Sequence, residues 1–174
     1  MNPAQKTAGR AAAFREEFDH AFAGPLNIGK RNFEAWICFR SGGEKLAVRT
    51  GQIAGVARRK RIQPIPTVAP GLLGITALGG VLFPVYDLGP LLGLPVAAGT
   101  DGWFLLAGGV TTPVAFLVDQ MEGQVGEDVS LYEAPKPGEK PLIRIRNEPR
   151  AVIDLVRILE EVRARAERIR PAKD

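Results

Sequence analysis

The stretch GLLGITALGGVLFPVYDLGPLLGLP runs from Gly71 to Pro95 and carries one charge, Asp87. About 20 apolar residues are enough to cross a bilayer as a helix, so a membrane span is the first reading to test. Six glycines (71, 74, 79, 80, 89 and 93) and three prolines (84, 90 and 95) argue against it. A lipid-facing helix must satisfy every backbone group internally, and Gly79-Gly80 followed by Pro84 and Pro90 would break one. Short buried strands with turns between them fit better. Gly-Gly makes a good two-residue hairpin turn because both residues accept positive φ. The spacing therefore predicts a core hairpin, Ile75–Leu78 pairing with Val81–Tyr86, ended by Asp87.

Outward from this hairpin the chain reads as β. FEAWICF, EKLAVR, QIAGVA, GWFLLAG, TPVAFLVD and PLIRIR are short apolar runs separated by SGG, IQPIPTVAPG, AAGTDG and APKPGEKP. Many short strands divided by turn residues point to small barrels or a sandwich rather than to βαβ units. VYDLGPLL (85–92) is echoed by VIDLVRIL (152–159), where again an apolar run ends at an Asp. An Asp at that junction is a good helix N-cap. The echo suggests two half-length β subdomains with similar endings.

Helices are expected only at the ends. In RAAAFREEFDHAF (10–22), Phe14, Phe18 and Phe22 fall on one helical face, and Gly24-Pro25 stops the helix. This stripe packs on the chain's own barrel or anchors in a partner's groove, a common mode for amphipathic helices. The closing helix spans Leu155–Ile169, with a seam of Leu155, Leu159, Val162, Ala166 and Ile169. Arg157/Glu161 and Glu161/Arg165 are supporting i, i+4 pairs.

The 174 residues suffice for one ordinary domain with tails. Net charge is +4, unevenly spread: residues 1–62 hold twelve Lys/Arg against five Asp/Glu, whereas residues 63–135 hold seven acids and no Lys or Arg. A nucleic-acid binder lays basic residues along a continuous face, and a long central segment contributes none here. RRKR (Arg58–Arg61) is the one dense cluster, read as a solvated loop after a strand. With the basic C-terminal helix it supports an alternative reading as a nucleic-acid-binding barrel, although no nucleic acid partner is expected. One cysteine, Cys38, permits no internal disulfide and no Cys-based metal site, and the N-terminus lacks an apolar export core. A cytoplasmic protein without direct membrane insertion is expected.

Catalytic constellations are sparse. His20 is the only histidine, on the polar side of the N-terminal helix, and no phosphate-binding loop is present. Asp87, Asp119 and Asp154 each end an apolar run; together they would form a metal or acid site, separately they are caps. Cys38 reads as a buried inert thiol, and Trp36 and Trp103 as core fillers. A non-enzymatic binding or scaffold module with no metal and no cofactor is the expectation.

GITALGGVLFPVYDL (74–88) resembles the signature of the CheW-like family, the coupling proteins of bacterial chemosensory arrays. That signature runs G, two hydrophobics, N-L-R-G, then a variable residue, hydrophobics and P-V-hydrophobic-D-L. Gly74, Leu78, Gly80, Pro84, Val85, Asp87 and Leu88 agree with it. IPTVAPGLLG, PVAFLVDQMEGQV (113–125) and AVIDLVRIL extend the resemblance over about residues 33–159. It implies an all-β core of two SH3-like five-stranded β-barrels packed together, with short N- and C-terminal helices. The expected division is 1–30, an amphipathic helix and linker; 31–159, the CheW-like domain; and 160–174, a basic helical tail.

For function the resemblance implies an adaptor that couples the cytoplasmic tip of methyl-accepting chemoreceptors to a CheA-type histidine kinase. One barrel would contact the kinase's CheW-like regulatory domain, and the groove between barrels would take the receptor's helical hairpin. Ile53, Gly55, Val56, Ala77, Gly79 and Val81 would belong to the partner-binding surface, joined by Phe14, Phe18 and Phe22. The chain departs from the family there. The Asn and Arg of N-L-R-G are Ala77 and Gly79, and the Glu usual near QIAGV is Gly55. A charged contact replaced by glycine cannot be made, which puts partner choice, rather than the fold, in question.

Overall fold

The structure, a computed structural model, describes residues 33–66, 69–96, 101–108, 113–128, 132–133 and 139–169. The N-terminal stretch with Phe14, Phe18, His20 and Phe22 lies outside them. The chain opens with β1 (Phe33–Ser41) and β2 (Glu44–Arg49), then a single 3-10 turn at Thr50–Gln52. β3 (Ile53–Arg58), β4 (Leu72–Leu78), β5 (Val81–Asp87), the one-turn helix α1 (Leu88–Leu91), β6 (Trp103–Ala107) and β7 (Ala115–Val118) follow. β8 (Gln120–Asp128), β9 (Tyr132–Glu133), β10 (Leu142–Ile145), β11 (Glu148–Val152) and the helix α2 (Leu155–Ile169) complete it.

These strands make two sheets, ordered β8-β1-β2-β11-β10-β9 and β3-β6-β7-β5-β4. They are the two expected barrels, but not consecutive halves. The five-stranded barrel is one continuous middle segment, inserted into a barrel built from both ends of the chain. That first barrel also gains a sixth strand, the two-residue β9. The echo marks corresponding places: β5 and β11 are each second in a hairpin, each pairs parallel with a distant strand (β7 and β2), and each runs into a helix.

Why the apolar runs are continuous follows from where their two faces go. Successive side chains in a strand point to opposite faces. On β1, Trp36 and Cys38 enter a small core with Ala47, Ile143, Ile145 and Val152 inside the first barrel. Ile37 and Phe39, one residue out of phase, enter a larger core shared with Leu105, Phe116 and Val118 of the second barrel. β6 and β7 divide likewise, sending Phe104, Ala115 and Leu117 to the second barrel's own interior. Both faces are buried, as in strands that read as unbroken hydrophobic runs. The shared core also takes Leu155, Ile158, Leu159 and Val162 of α2, so the helix seals the junction.

The hairpin at the centre of the sequence forms as expected. β4 pairs antiparallel with β5, from Leu78↔Val81 to Leu72↔Tyr86, around Gly79 and Gly80 at φ +56° and +79°. Gly74 closes the second barrel. Its backbone lies at φ +144°, and a Cβ there would collide with the Gln63 carbonyl. That approach permits the paired bonds Gln63 N–H to Ile75 O (2.8 Å) and Ile75 N–H to Gln63 O (2.9 Å), which join the end of the β3 segment to β4.

Charged side chains tie the first barrel across its strands. Arg150 of β11 is buried and pairs with Glu122 of β8, which also accepts from Arg40 of β1 at 2.6 Å. Burial pushes the Glu122 carboxyl up, but hydrogen bonds and charge from Arg40 and Arg150 outweigh it and hold the pKa below the usual glutamate range. Lys45 of β2 reaches Glu148 of β11 at 2.8 Å. Arg49 sits 5.1 Å from the Trp36 ring centre and bonds Glu34 at 2.8 Å.

Candidate partner-binding surfaces

The residues singled out in the sequence lie on the second barrel, where register fixes their relation. Gly55 is level with Leu106, Leu106 with Ala115, Ala115 with Val85, and Val85 with Gly74. Beyond this row, toward the same end of the sheet, lie Ile53 on one side and Ala77, Gly79 and Val81 on the other. The two groups share an end but occupy opposite outer strands, β3 and β4–β5. Val56, Ala77, Gly79 and Val81 are exposed. Ile53 is half-buried against the shared core, and a Cβ on Gly55 would stand 3.6 Å from Leu106. Ile53 and Gly55 therefore support the strand more than they face outward. Beside Val81, Leu82 is 62% exposed; sequence reading passed over it as a hairpin core residue.

The sequence predicts RRKR as a loop after a strand; Arg58 instead ends β3, paired with Trp103, and only Arg59–Arg61 follow it. Arg58 lies over the Trp103 ring, 4.1 Å from its centre, and Trp103 is half-buried rather than a full core filler. The two are register partners at the exposed edge of the sheet, so the guanidinium covers the indole face that the core does not. Arg59 N–H donates to Gly102 O at 3.0 Å, and Lys60 and Arg61 are exposed.

The three aspartates act separately. Asp87 Oδ1 accepts from Gly89 N–H at 3.2 Å and caps α1. Asp154 Oδ1 accepts from Val156 and Arg157 N–H at 3.1 and 3.3 Å at the start of α2. Asp119 Oδ2 accepts from Gly42 N–H at 2.7 Å, pinning the β1–β2 turn. Among the described residues no group of three or more His, Cys, Asp or Glu is placed to hold a metal. Cys38 is buried, and burial pushes its thiol pKa up, away from the thiolate that nucleophilic chemistry requires.

The groove between the barrels that the family resemblance implies is present, with a volume of about 350 Å³. Leu91 and Leu92, in and just after α1, form one wall. Leu46, Ala151 and Ile153 form the floor, and Ile158 of α2 the other wall, with Lys140, Asp154, Arg157 and Glu161 at the polar rim. Gln52 braces α2 there: its Oε1 accepts from Leu155 N–H at 3.1 Å and its Nε2 donates to Asp154 at 3.0 Å. None of the residues expected at the partner-binding surface lines the groove, although Asp154, read as a cap, stands at its rim. Its walls come from three stretches far apart in the chain, at Leu46, at Leu91 and Leu92, and within residues 140–161, and the two copies of the echo supply the α1 and α2 sides. No helix among the described residues is long and apolar enough to cross a membrane.

Comparison with known proteins agrees with this architecture. No curated protein matches the chain. The solved structure of the scaffolding protein TtCheW from Thermoanaerobacter tengcongensis superposes with a TM-score of 0.63 at 18% sequence identity, over 71% of this chain and 85% of that one. The CheW-like domain family matches residues 35–163, from β1 into α2. That match covers most of the chain and both barrels, so the chain belongs to the CheW-like family.

Proposed function

We propose that this chain is a non-enzymatic scaffold that couples a chemoreceptor's cytoplasmic tip to a CheA-type histidine kinase. The observation that carries this reading is the groove between the barrels, with its apolar floor and charged rim. A concave apolar site of this kind suits an amphipathic helix laid lengthwise, its apolar face down and its charges meeting the rim. The second barrel adds an exposed hairpin, Ala77–Leu82, as a separate contact for the kinase's CheW-like regulatory domain. Two surfaces on one rigid body are what a coupling protein needs, because both partners must bind together. Family membership supports an adaptor role, and the local structural work of Asp87, Asp119, Asp154 and Cys38 supports its being non-enzymatic.

The test is binding in solution. Purified chain is titrated with a receptor cytoplasmic fragment, with the kinase regulatory domain, and with both. Binding to each at tens of micromolar or tighter, with a ternary complex, is expected. Failure to bind either partner sinks the coupling role and leaves a CheW-like fold with another partner. Arg157→Glu, which reverses an exposed charge at the groove rim, should weaken receptor binding and leave kinase binding intact.

A further inference from the structure

Two short stretches carry the chain between the barrels. It leaves the first through Thr50–Gln52, between β2 and β3, and returns through Asp119, between β7 and β8. Each stretch is tied to one wall of the groove. At the outward crossing, the Gln52 carbonyl accepts from Gly108 N–H at 2.9 Å, which holds this residue to the end of β6. Its side chain turns to α2 instead: Oε1 accepts from Leu155 N–H, and Nε2 donates to Asp154 Oδ1. Ile158, the α2 wall, lies about one turn further along the same helix.

At the return crossing, Asp119 N–H donates to Arg40 O at 3.0 Å, and Asp119 Oδ2 accepts from Gly42 N–H at 2.7 Å. Gly42 in turn seats the segment that follows α1. Its backbone is left-handed, at φ +58°, and a Cβ there would stand 2.8 Å from Leu94 Cβ and 2.9 Å from the Pro95 carbonyl oxygen. The same carbonyl lies against Gly89 of α1, where a Cβ would overlap it. Leu94 N–H donates to Gly89 O at 2.9 Å. Glycines at both places thus let the segment after α1 settle on the β1–β2 turn. Leu91 and Leu92, the α1 wall, are held in place with it.

Neither Gln52 nor Gly42 lines the groove. We infer that both are positioning residues for the helical partner: from outside the groove they fix how far apart the α1 and α2 walls stand. A gap of about 0.5–1 Å at an apolar contact already forfeits a quarter to a half of its dispersion attraction. A wall that shifts therefore loses affinity although every lining residue is still present. Walls fixed in advance also spare the complex the cost of ordering them on binding. The inference rests on the coupling reading of the groove and adds to it two residues that the partner does not touch.

The test is a cycle at the Gln52–Asp154 bond in the full chain: Gln52→Glu, Asp154→Asn and the two together. Gln52→Glu loses the amide donor and sets two carboxylates face to face. Adding Asp154→Asn restores the bond with donor and acceptor exchanged, and asparagine caps a helix as well as aspartate does. Gly42→Ala probes the other wall. Glu122→Gln, which does not line the groove, is the control for lost stability. Thermal melting first confirms that each variant is folded. Each is then titrated with the receptor cytoplasmic fragment and with the kinase regulatory domain, and hydrogen exchange is read at the Leu155 amide. Gln52→Glu should weaken receptor binding about fivefold or more on the wild-type background and leave it unchanged on Asp154→Asn, with faster Leu155 exchange in the first case alone. Gly42→Ala should weaken receptor binding to a similar extent. Kinase-domain binding should hold throughout, and Glu122→Gln should melt earlier with receptor binding intact. Unchanged receptor binding in either Gln52→Glu or Gly42→Ala overturns the inference and leaves the coupling reading standing. So does a loss that Glu122→Gln reproduces, that both partners share, or that Asp154→Asn fails to rescue. Wild-type chain that binds no receptor fragment removes the coupling reading and the inference with it.

Discussion

Hairpin β4–β5 turns on Gly79 and Gly80, at φ +56° and +79°; hairpin β10–β11 turns on Arg146 and Asn147, at +52° and +65°. Both use two consecutive left-handed residues, the turn that matches strand twist. Both end in a strand paired parallel to a distant one, then an Asp cap, then a helix. The devices agree, yet the barrels around them are held differently. The first is laced by ion pairs between strands, Arg40–Glu122–Arg150 and Lys45–Glu148. The second contains no Lys or Arg after Arg61 and closes through a glycine and two backbone bonds. One topology thus admits two ways of fastening. The ion-paired barrel sets Arg40, Lys45, Arg49, Arg144 and Arg150 against its own glutamates, whereas in the glycine-closed barrel Lys60 and Arg61 are exposed.

The sharpest way to break this comparison is at Gly74. A methyl there meets the Gln63 carbonyl and sits at φ +144°. Strain and overlap together should make Gly74→Ala cost about 4 kcal/mol. Because the largest core is shared by both barrels, denaturant unfolding followed through Trp36 and Trp103 should move to lower concentration in one step. Two separated steps would mean that the barrels fold independently, and the shared core would lose its role.

The corresponding fastening in the first barrel is Glu122. Glu122→Gln leaves the buried Arg150 guanidinium without its closest counter-charge and should cost about 3 kcal/mol at neutral pH. Glu122 titrates lower in the folded chain than in the unfolded one. Its contribution is therefore full above the ordinary glutamate range, near pH 4.3, and is lost as the pH falls through that range to its depressed folded value. Stability measured against pH should show wild type and variant far apart at pH 7 and converging in acid. A constant gap down to acid pH would mean that the carboxylate's charge is not what matters.

These two residues also show what the sequence could and could not tell. The hairpin, its Gly-Gly turn and its closing Asp were legible because their partners lie within a few residues of one another. Asp87 and Asp154 read as caps for the same reason, whereas Asp119 pins a turn 77 residues away. Glu122 lies 82 residues from Arg40, and nothing local advertises such a pair. The insertion of one barrel into the other was hidden likewise, because β2 and β11 meet only after the whole second barrel has been threaded between them. β8 escaped notice because it is an outer strand with one face wet: QMEGQVGED alternates polar and half-buried residues and carries two glycines that weaken the strand signal. The family resemblance implied the groove, but which residues line it fell out of reach, because its walls are long-range and its local runs short.

A smaller effect separates the two caps. Asp154→Ala removes the acceptor for Val156 and Arg157 N–H and the partner of Gln52, at a cost of about 1–2 kcal/mol. Loss of the cap should fray the first turn of α2 and lower the helical circular dichroism signal. Asp87→Ala frees the start of a four-residue helix and should leave that signal unchanged while still lowering stability. Equal helical signals in the two variants would show that Gln52 alone fixes the start of α2.

The smallest predicted change lies in the turn itself. Gly79 pays the entropic cost of a residue free to roam when unfolded, and its surroundings would accept a side chain, since nothing lies within 4 Å of the missing Cβ. The first barrel shows that a side chain is tolerated at the matching position, where Arg146 stands at φ +52°. Asn accepts left-handed backbone more readily than other side-chain-bearing residues and favours this turn before glycine. Gly79→Asn should therefore stabilise the chain by about 0.5 kcal/mol. Gly79→Val, whose β-branch resists positive φ, should destabilise it by about 1–2 kcal/mol. Opposite signs in chemical denaturation would establish that conformational freedom, rather than space or charge, sets the residue at this turn. If both variants destabilise, the Asn side chain disturbs the exposed hairpin by some other contact, and the two turns are not the interchangeable devices their backbones suggest.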